Sequence, residues 1–143
     1  MASKREQVLA AVEALVKTAL PNADVKRNRD KAFRIGPGGA VSIEDGEPGE
    51  PDVDLSPLTY NYSHRIPLVF GAYESATKTP GQVLDEMQTA VGQAVEADRT
   101  LGGLCDFLST EAPDRGELDI AGAESGGQTA AAIVADYSTS SPL

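Results

Sequence analysis

The stretch Leu58–Tyr73, LTYNYSHRIPLVFGAY, alternates between two kinds of side chain along most of its length. One set of alternate positions is aromatic or aliphatic and includes the only histidine: Tyr60, Tyr62, His64, Ile66, Leu68 and Phe70. The positions between them include Asn61, Ser63 and Arg65. Successive side chains of a β-strand point to opposite faces, so this period of two predicts a strand with one buried face. A strand this long, with an amphipathic helix on each side in sequence, predicts a small helix-plus-sheet domain.

Two helices are predicted, one before and one after this strand. The first covers residues 4–20, begins at an S-x-x-E capping box formed by Ser3 and Glu6, and ends before Pro21. The second begins at Thr79, which caps a proline at the first helical position, and runs to residue 97 or 98. Both carry apolar residues at helical spacing, which predicts that one side of each packs on the sheet.

Shorter strands and loops fill the rest of the chain. Strands are predicted at residues 25–28, 41–44, 53–56, 104–109 and 129–137. Residues 44–52, EDGEPGEPD, combine turn residues with five carboxylates and are interpreted as an exposed, mobile hairpin connection. Residues 113–128 are rich in glycine and acidic side chains, and a second mobile segment is expected there.

Length and charge restrict the function classes. A chain of 143 residues suits a single domain, residues 1–143, with one ordinary core. Its formal net charge of −10 disfavours binding to nucleic acid or to an anionic membrane. Cys105 is the only cysteine, so no internal disulfide can form and a reducing, cytoplasmic setting is expected. Charged residues interrupt the apolar N-terminal stretch, which is therefore interpreted as a helix, and no transmembrane segment is expected.

Motifs for catalysis or cofactor binding are not recognised in the sequence. GPGG at residues 36–39 lacks the lysine of a P-loop. Asp52, Asp54 and Ser56 resemble the start of a calcium loop, but Pro57 stands where that loop needs glycine. His64 is the only histidine and Cys105 the only cysteine, so no His/Cys metal cluster is possible. Both are interpreted as packing residues. We therefore expect no enzyme activity, cofactor or metal.

Charge is unevenly distributed along the chain. Five basic residues fall within nine positions: Lys26, Arg27, Arg29, Lys31 and Arg34. Residues 35–143 hold four basic residues against eighteen acidic ones. One interpretation is a solvated loop. The other is an interface in which this basic segment meets the acidic segment of a neighbouring copy, formed by Glu44, Asp45, Glu47, Glu50, Asp52 and Asp54. A head-to-tail contact of this kind closes into a ring if its rotation permits.

The order of these segments resembles the tail terminator proteins of long-tailed phages, also called tail completion or minor tail proteins. The resemblance rests on VSIEDGEPGEPDV, LTYNYSHRIPLVF, EADRTLGGLCDFL and the closing AAIVADYSTS, and it covers nearly the whole chain. It implies an α+β subunit with two helices on a mainly antiparallel sheet, assembled into a homohexameric ring. The ring would cap the head-proximal end of the tail tube in the virion, after assembly in the host cytoplasm. Its partners would be the tail tube protein and the head–tail connector, with DNA only passing through the lumen.

Two other classes remain open at this stage. A head-closure or stopper protein is also a small ring-forming neck protein, and it differs from a terminator in its order of assembly. A small ligand-binding module or enzyme would need a concave pocket, for which the sequence offers only Tyr60, Tyr62, His64 and Arg65 as concentrated candidates. The first three of these share a face with Ile66, which favours packing over ligand binding.

Overall fold

The computed structural model describes residues 2–28, 38–73, 77–114 and 126–143. In these ranges the chain forms two α-helices and a six-stranded, mostly antiparallel sheet, so the α+β class is confirmed. The elements are α1 (Lys4–Ala19), β1 (Asp24–Arg27), β2 (Ala40–Ile43), β3 (Asp52–Leu55), β4 (Leu58–Tyr73), α2 (Pro80–Ala97), a 3₁₀ turn (Leu101–Gly103), β5 (Phe107–Asp114) and β6 (Gly126–Thr139).

The long strand β4 lies inside the sheet, as its pattern predicts. It pairs with β6 without interruption from Tyr60↔Thr139 to Tyr73↔Gly126. Its predicted inward face is confirmed: Tyr62, His64, Ile66, Leu68 and Phe70 are buried, and Tyr60 is half-buried. On the opposite face Ser63 and Arg65 are exposed.

Both helices contribute to the same hydrophobic core as the inward face of the sheet. α1 buries Val8, Leu9, Val12 and Val16, and α2 buries Leu84, Met87, Val91 and Val95. These sets have the spacing of one helical stripe, which is why each helix can lie flat on the sheet. Val53 and Leu55 of β3 stay outside this core, because they are largely exposed.

The two helix starts differ from each other. α2 has the full capping box, in which Thr79 accepts from the Gln82 backbone and the Gln82 side chain accepts from the Thr79 N–H. In α1 the Ser3 hydroxyl accepts from the Glu6 N–H, as predicted. The predicted reverse bond of Glu6 is not the contact observed, because its carboxylate binds Arg27.

The hairpin interpretation of residues 44–52 is wrong. β2 and β3 do not pair with each other; both pair with the same edge of β4. The chain takes nine residue steps from Ile43 to Asp52, whereas the facing part of β4 takes seven from Leu68 to Asn61. The segment between β2 and β3 is therefore an irregular connection along β4 with two extra residues, touching the strand at one bridge, Glu47↔Arg65. Gly46 accounts for one irregularity: its φ is +63°, and a Cβ there would lie 2.2 Å from the Arg65 carbonyl oxygen. The glycine and proline residues of the segment 44–52 therefore mark an irregular path along β4 and not a hairpin. The chain reverses direction later, between β3 and β4.

Other boundaries shift for local reasons. Gly102 and Gly103 adopt positive φ in the turn before β5, so that strand begins at Phe107 rather than at 104 and continues to Asp114. β6 begins at Gly126, three residues before the prediction. Strand structure therefore covers both ends of the segment 113–128 that was expected to be mobile, and residues 115–125 lie outside the described residues.

Replacing a core leucine should cost far more stability than replacing an exposed one on the same strand pair. Leu68 is 1% exposed in β4, whereas Leu55 is 80% exposed in β3. We expect Leu68→Ala to lower the free energy of unfolding by about 2–5 kcal/mol, because it leaves a cavity. Leu55→Ala should change it by less than about 0.5 kcal/mol. Chemical denaturation measures both, and equal losses would contradict this assignment of the core.

Candidate interaction surface

Arg27, at the end of β1, joins three separate segments through its guanidinium group. Its Nη1 and Nη2 donate to the two carboxylate oxygens of Glu6 in α1, at 2.6 and 3.2 Å. Its Nε and Nη2 donate to Oδ1 of Asp45, at 3.2 and 2.8 Å. Asp45 is held from a second side, since its backbone N–H donates to the Asn28 side chain at 3.0 Å. A bidentate, charge-assisted arrangement of this kind fixes geometry as well as adding stability.

These contacts change the proton affinities of the three groups. The hydrogen bonds that Arg27 donates to Glu6 and Asp45 raise the pKa of Arg27. The hydrogen bond from Arg27 lowers the pKa of Glu6. Burial by itself raises the pKa of Asp45, but its hydrogen bonds, including that from Arg27, outweigh this and lower it. All three groups are therefore charged at neutral pH.

His64 fixes the same acidic segment from inside the core. Its Nε2 lies 2.6 Å from the backbone carbonyl of Asp45, and its Nδ1 lies 3.0 Å from the Tyr137 hydroxyl. Because a carbonyl oxygen only accepts, Nε2 must donate, and the neutral ring then accepts from Tyr137 through Nδ1. Burial is the main cause that lowers the pKa of His64 below its ordinary value of 6.5. His64 is thus a structural residue, as the sequence suggested.

The structure separates the residues that were predicted to form an interface. Lys26 and Arg27 lie in β1, Asp52 and Asp54 in β3, and Glu44, Asp45, Glu47 and Glu50 between β2 and β3. Arg29, Lys31 and Arg34 lie outside the described residues. The predicted attraction between the basic and acidic segments does occur, but for Arg27 and Asp45 it lies within one chain. Those two residues therefore pair with each other within the fold.

A projecting β-hairpin is the feature that sequence reasoning missed. Residues 52–61, called the arm here, comprise β3, the turn at Ser56–Pro57 and the start of β4. Register places Val53 opposite Tyr60 and Leu55 opposite Leu58, so these four share one face. Val53, Leu55 and Leu58 are 46%, 80% and 47% exposed. The alternation of these residues is readable in the sequence, but the sequence does not show that the fold leaves them exposed.

The other face of the arm is polar. Asp52 and Asp54 lie there, and the Asn61 amide donates to the Asp52 carbonyl at 3.0 Å and to the Asp54 carboxylate at 3.1 Å. Asn61 continues this network into β6, since it accepts a 2.6 Å bond from Ser138. The arm is thus an amphipathic ribbon braced against the sheet on its polar side. On its apolar side Tyr60 packs against the core, whereas Val53, Leu55 and Leu58 are exposed.

An apolar pocket lies toward the other end of the sheet, between α2 and β5. It has a volume of about 150 Å³ and its lining includes Leu68, Phe70, Val91, Gly92, Glu111 and Ala112. We call it the helix–sheet pocket. Gly92 helps to keep it open, because a Cβ at that position would meet nothing within 4 Å. On the opposite face of the sheet, Nε of Arg65 donates to the Glu111 carboxylate at 2.8 Å.

The residues proposed for a ligand-binding alternative are not brought together by the fold. Tyr62 and His64 are buried, and Arg65 points to the opposite face of the sheet. Within the described ranges, no group of three His, Cys, Asp or Glu side chains is placed to hold a metal ion. In the same ranges, no helix has both the length and the apolar character needed to cross a membrane. Burial raises the pKa of the Cys105 thiol, which accords with its predicted packing role.

No known protein family model matches the chain, and no curated protein is similar to it at a significant level.

Removing the Arg27 guanidinium should weaken the fold more than removing a neighbouring positive charge. Arg27→Met keeps most of the apolar stem but loses the bonds to Glu6 and Asp45, and we expect it to lower the free energy of unfolding by about 1–2 kcal/mol. Lys26→Met on the same strand, at an exposed position, is the matched control and should change it by less than about 0.5 kcal/mol. Denaturation at low and high salt measures both, and the Arg27 effect should shrink in 1 M salt. Equal effects would contradict the role assigned to Arg27.

Stability should fall as the pH drops below about 6.5, and His64 should be the cause. The unfolded chain takes up a proton at the ordinary histidine pKa of 6.5, whereas the buried ring resists it, so protonation favours unfolding. The slope can reach about 1.4 kcal/mol per pH unit. Glu6 and Asp45 have lowered pKa values, and their contribution is lost only at lower pH, below their ordinary 4.5 and 3.8.

The check is chemical denaturation between pH 7.5 and 5.5 for the wild type and for His64→Gln. The glutamine amide can still donate to the Asp45 carbonyl but does not titrate, so the variant should show a much flatter slope whatever its absolute stability. An identical slope in the two proteins would show that another group controls this range.

Proposed function

We propose that the chain is a structural subunit of a phage tail, a tail terminator. Copies form a ring, on the pattern of a hexamer, that caps the head-proximal end of the tail tube, stops its polymerisation and joins it to the head connector. The proposal starts from the resemblance in segment order and is supported by the α+β class that the structure has. The chain acts in the virion after assembly in the host cytoplasm.

The observation that carries this proposal is the arm. Val53, Leu55 and Leu58 lie together on one face of this ribbon and are 46%, 80% and 47% exposed. A group of neighbouring apolar side chains exposed in this way is typical of a surface that is covered when a partner binds. The arm extends a rigid strand of the core, so it can transmit a fixed orientation to a neighbour. This is what a subunit of a closed ring needs.

Surface charge supports a passage for DNA rather than a binding site for it. The chain has 22 acidic residues against 12 basic ones. A ring with this balance repels phosphates and lets DNA pass without adhering. The same balance applies to a stopper protein, which remains the nearest alternative within the virion.

A second candidate function is a small ligand-binding module, and the helix–sheet pocket is the observation in its favour. Its volume of about 150 Å³ is below the range of about 300–1,000 Å³ that holds most metabolites and drug-sized ligands. The helix–sheet pocket therefore suits a single side chain or a very small apolar molecule. Two more open grooves beside α2 measure about 680 and 470 Å³. The structural role is preferred because it also explains the exposed arm.

The test is tube assembly in the presence of the purified chain. Tail tube protein from the genome that encodes this chain is polymerised with and without it, and tube lengths are measured by negative-stain microscopy. We expect short, capped tubes whose mean length falls as the ratio of chain to tube protein rises. An unrelated acidic protein of similar size is the control for charge.

The order in which components are added distinguishes a terminator from a stopper. A terminator binds tubes before any head is present, whereas a stopper binds only after the terminator or the head connector. Tubes of unchanged length, with the chain absent from their ends, would overturn the proposal.

A further inference from the structure

We propose that a cleft between the first turn of α1 and the ring of Tyr62 binds a monatomic anion, for which chloride is the test ligand. We call it the α1 cleft. Residues from separate parts of the chain line it, including Ser3, Lys4, Arg5, Tyr62, Tyr137 and Ser141. This site is additional to the terminator role and does not depend on it.

The hydroxyl of Tyr62 is a buried polar group without a partner. Tyr62 stands on the inward face of β4, is 9% exposed and lines the α1 cleft. Its hydroxyl makes no hydrogen bond within the described residues, whereas the hydroxyl of the neighbouring Tyr137 binds His64 at 3.0 Å. A buried hydroxyl without a partner costs free energy, and such groups are rare in folded proteins. A ligand in the cleft that accepts a hydrogen bond from Tyr62 removes this cost.

Backbone donors at the start of α1 lie in the lining of the same cleft. The first N–H groups of a helix have no partner inside it. The N–H of Glu6 donates to the Ser3 hydroxyl at 3.2 Å. Those of Lys4 and Arg5, which line the cleft, have no acceptor in the part of the chain that the structure describes. These groups form the positive end of the helix dipole, which favours an anion.

The side chains of Lys4 and Arg5 add positive charge at the end of the helix where the dipole disfavours it. In the described ranges neither side chain has an ion-pair partner, although the chain has 22 acidic residues against 12 basic ones. None of the described residues lining the cleft is an aspartate or a glutamate. Burial raises the pKa of Tyr137 and the charge of Arg5 opposes this, so that charge acts on the inner wall of the cleft. An anion offsets both side-chain charges and the dipole.

The size of the α1 cleft limits the ligand to about one atom. Its volume is about 10 Å³. This is about the smallest space that holds one water molecule. A monatomic anion fits there and accepts hydrogen bonds from several donors at once. Phosphate and sulfate have four oxygens each and are too large to enter.

Chloride binding is measured by the broadening of the chloride NMR signal. The protein is kept in sodium gluconate, a salt of a bulky anion, and chloride replaces gluconate stepwise at constant ionic strength. We expect saturable broadening with the wild type. The denaturation midpoint should rise along the same saturation curve, because a ligand that binds only the folded state stabilises it. Phosphate, added as a competitor, should displace chloride poorly.

Two variants locate the site. Tyr62→Phe removes only the hydroxyl and should weaken chloride binding at least about tenfold, the loss expected for a hydrogen bond to a charged group. In gluconate alone its midpoint should be no lower than that of the wild type, since the hydroxyl has no partner to lose. Arg5→Gln should also weaken binding and should raise the midpoint in gluconate, because it removes a cation from the helix start. Tyr73→Phe, on the same strand and 39% exposed in the wild type, is the matched control and should bind chloride normally.

Three results would overturn the proposed anion site. The first is broadening that does not saturate, or that is equal for the wild type and Tyr62→Phe. The second is a Tyr62→Phe midpoint lowered equally in chloride and in gluconate, which would show that the hydroxyl serves packing alone. The third is tighter binding of phosphate than of chloride, which would exclude a monatomic ligand. None of these measurements involves tail tubes, so the terminator role is tested separately.

Discussion

The backbone pairing between β4 and β6 is the constraint on which the rest of the structure depends. These strands run antiparallel without a break from Tyr60↔Thr139 to Tyr73↔Gly126. A shift of one residue in this register would turn every inward side chain of β4 to the opposite face, so burial of Ile66 and its neighbours holds the register fixed. One end of this strand pair lies under the helices. At the other end β4 continues two residues beyond its pairing with β6 and pairs with β3, so the arm is built on a strand of the core.

The edge of the sheet beside β4 needs polar contacts because it is bulged. Two extra residues between β2 and β3 interrupt the regular ladder of backbone hydrogen bonds to β4. Hydrogen bonds from Arg27 and His64 to Asp45 hold this part of the chain instead. The side chain of Arg27, in β1, donates to the Asp45 carboxylate. The ring of His64, on the inward face of β4, donates to the Asp45 backbone carbonyl. The bulged edge is thereby fixed just before the chain enters the arm, which links the charge network to the position of Leu55.

The periodic parts of the fold could be predicted from the sequence. The inward face of β4, the span of α2 and the packing role of His64 follow from spacing alone, because burial imposes periods of 2 and 3.6 residues. The path of residues 44–52 could not be, since glycine and proline mark bulges as well as reversals. The candidate surface was predictable only in part: acidic and basic segments do attract, but sequence cannot tell that Arg27 meets Asp45 in its own chain. Nor can it tell that α1 leaves Leu55 uncovered, which depends on how the helix is placed along the strand.

The proposal that this chain acts at one end of a tail tube is tested most directly by measuring where it binds on finished tubes. Gold-labelled protein is added to preformed, head-free tubes and the label is located by electron microscopy. We expect label at a single end of each tube, with a constant number of copies. Label spread along the tube walls, or tubes without label at saturating protein, would contradict it.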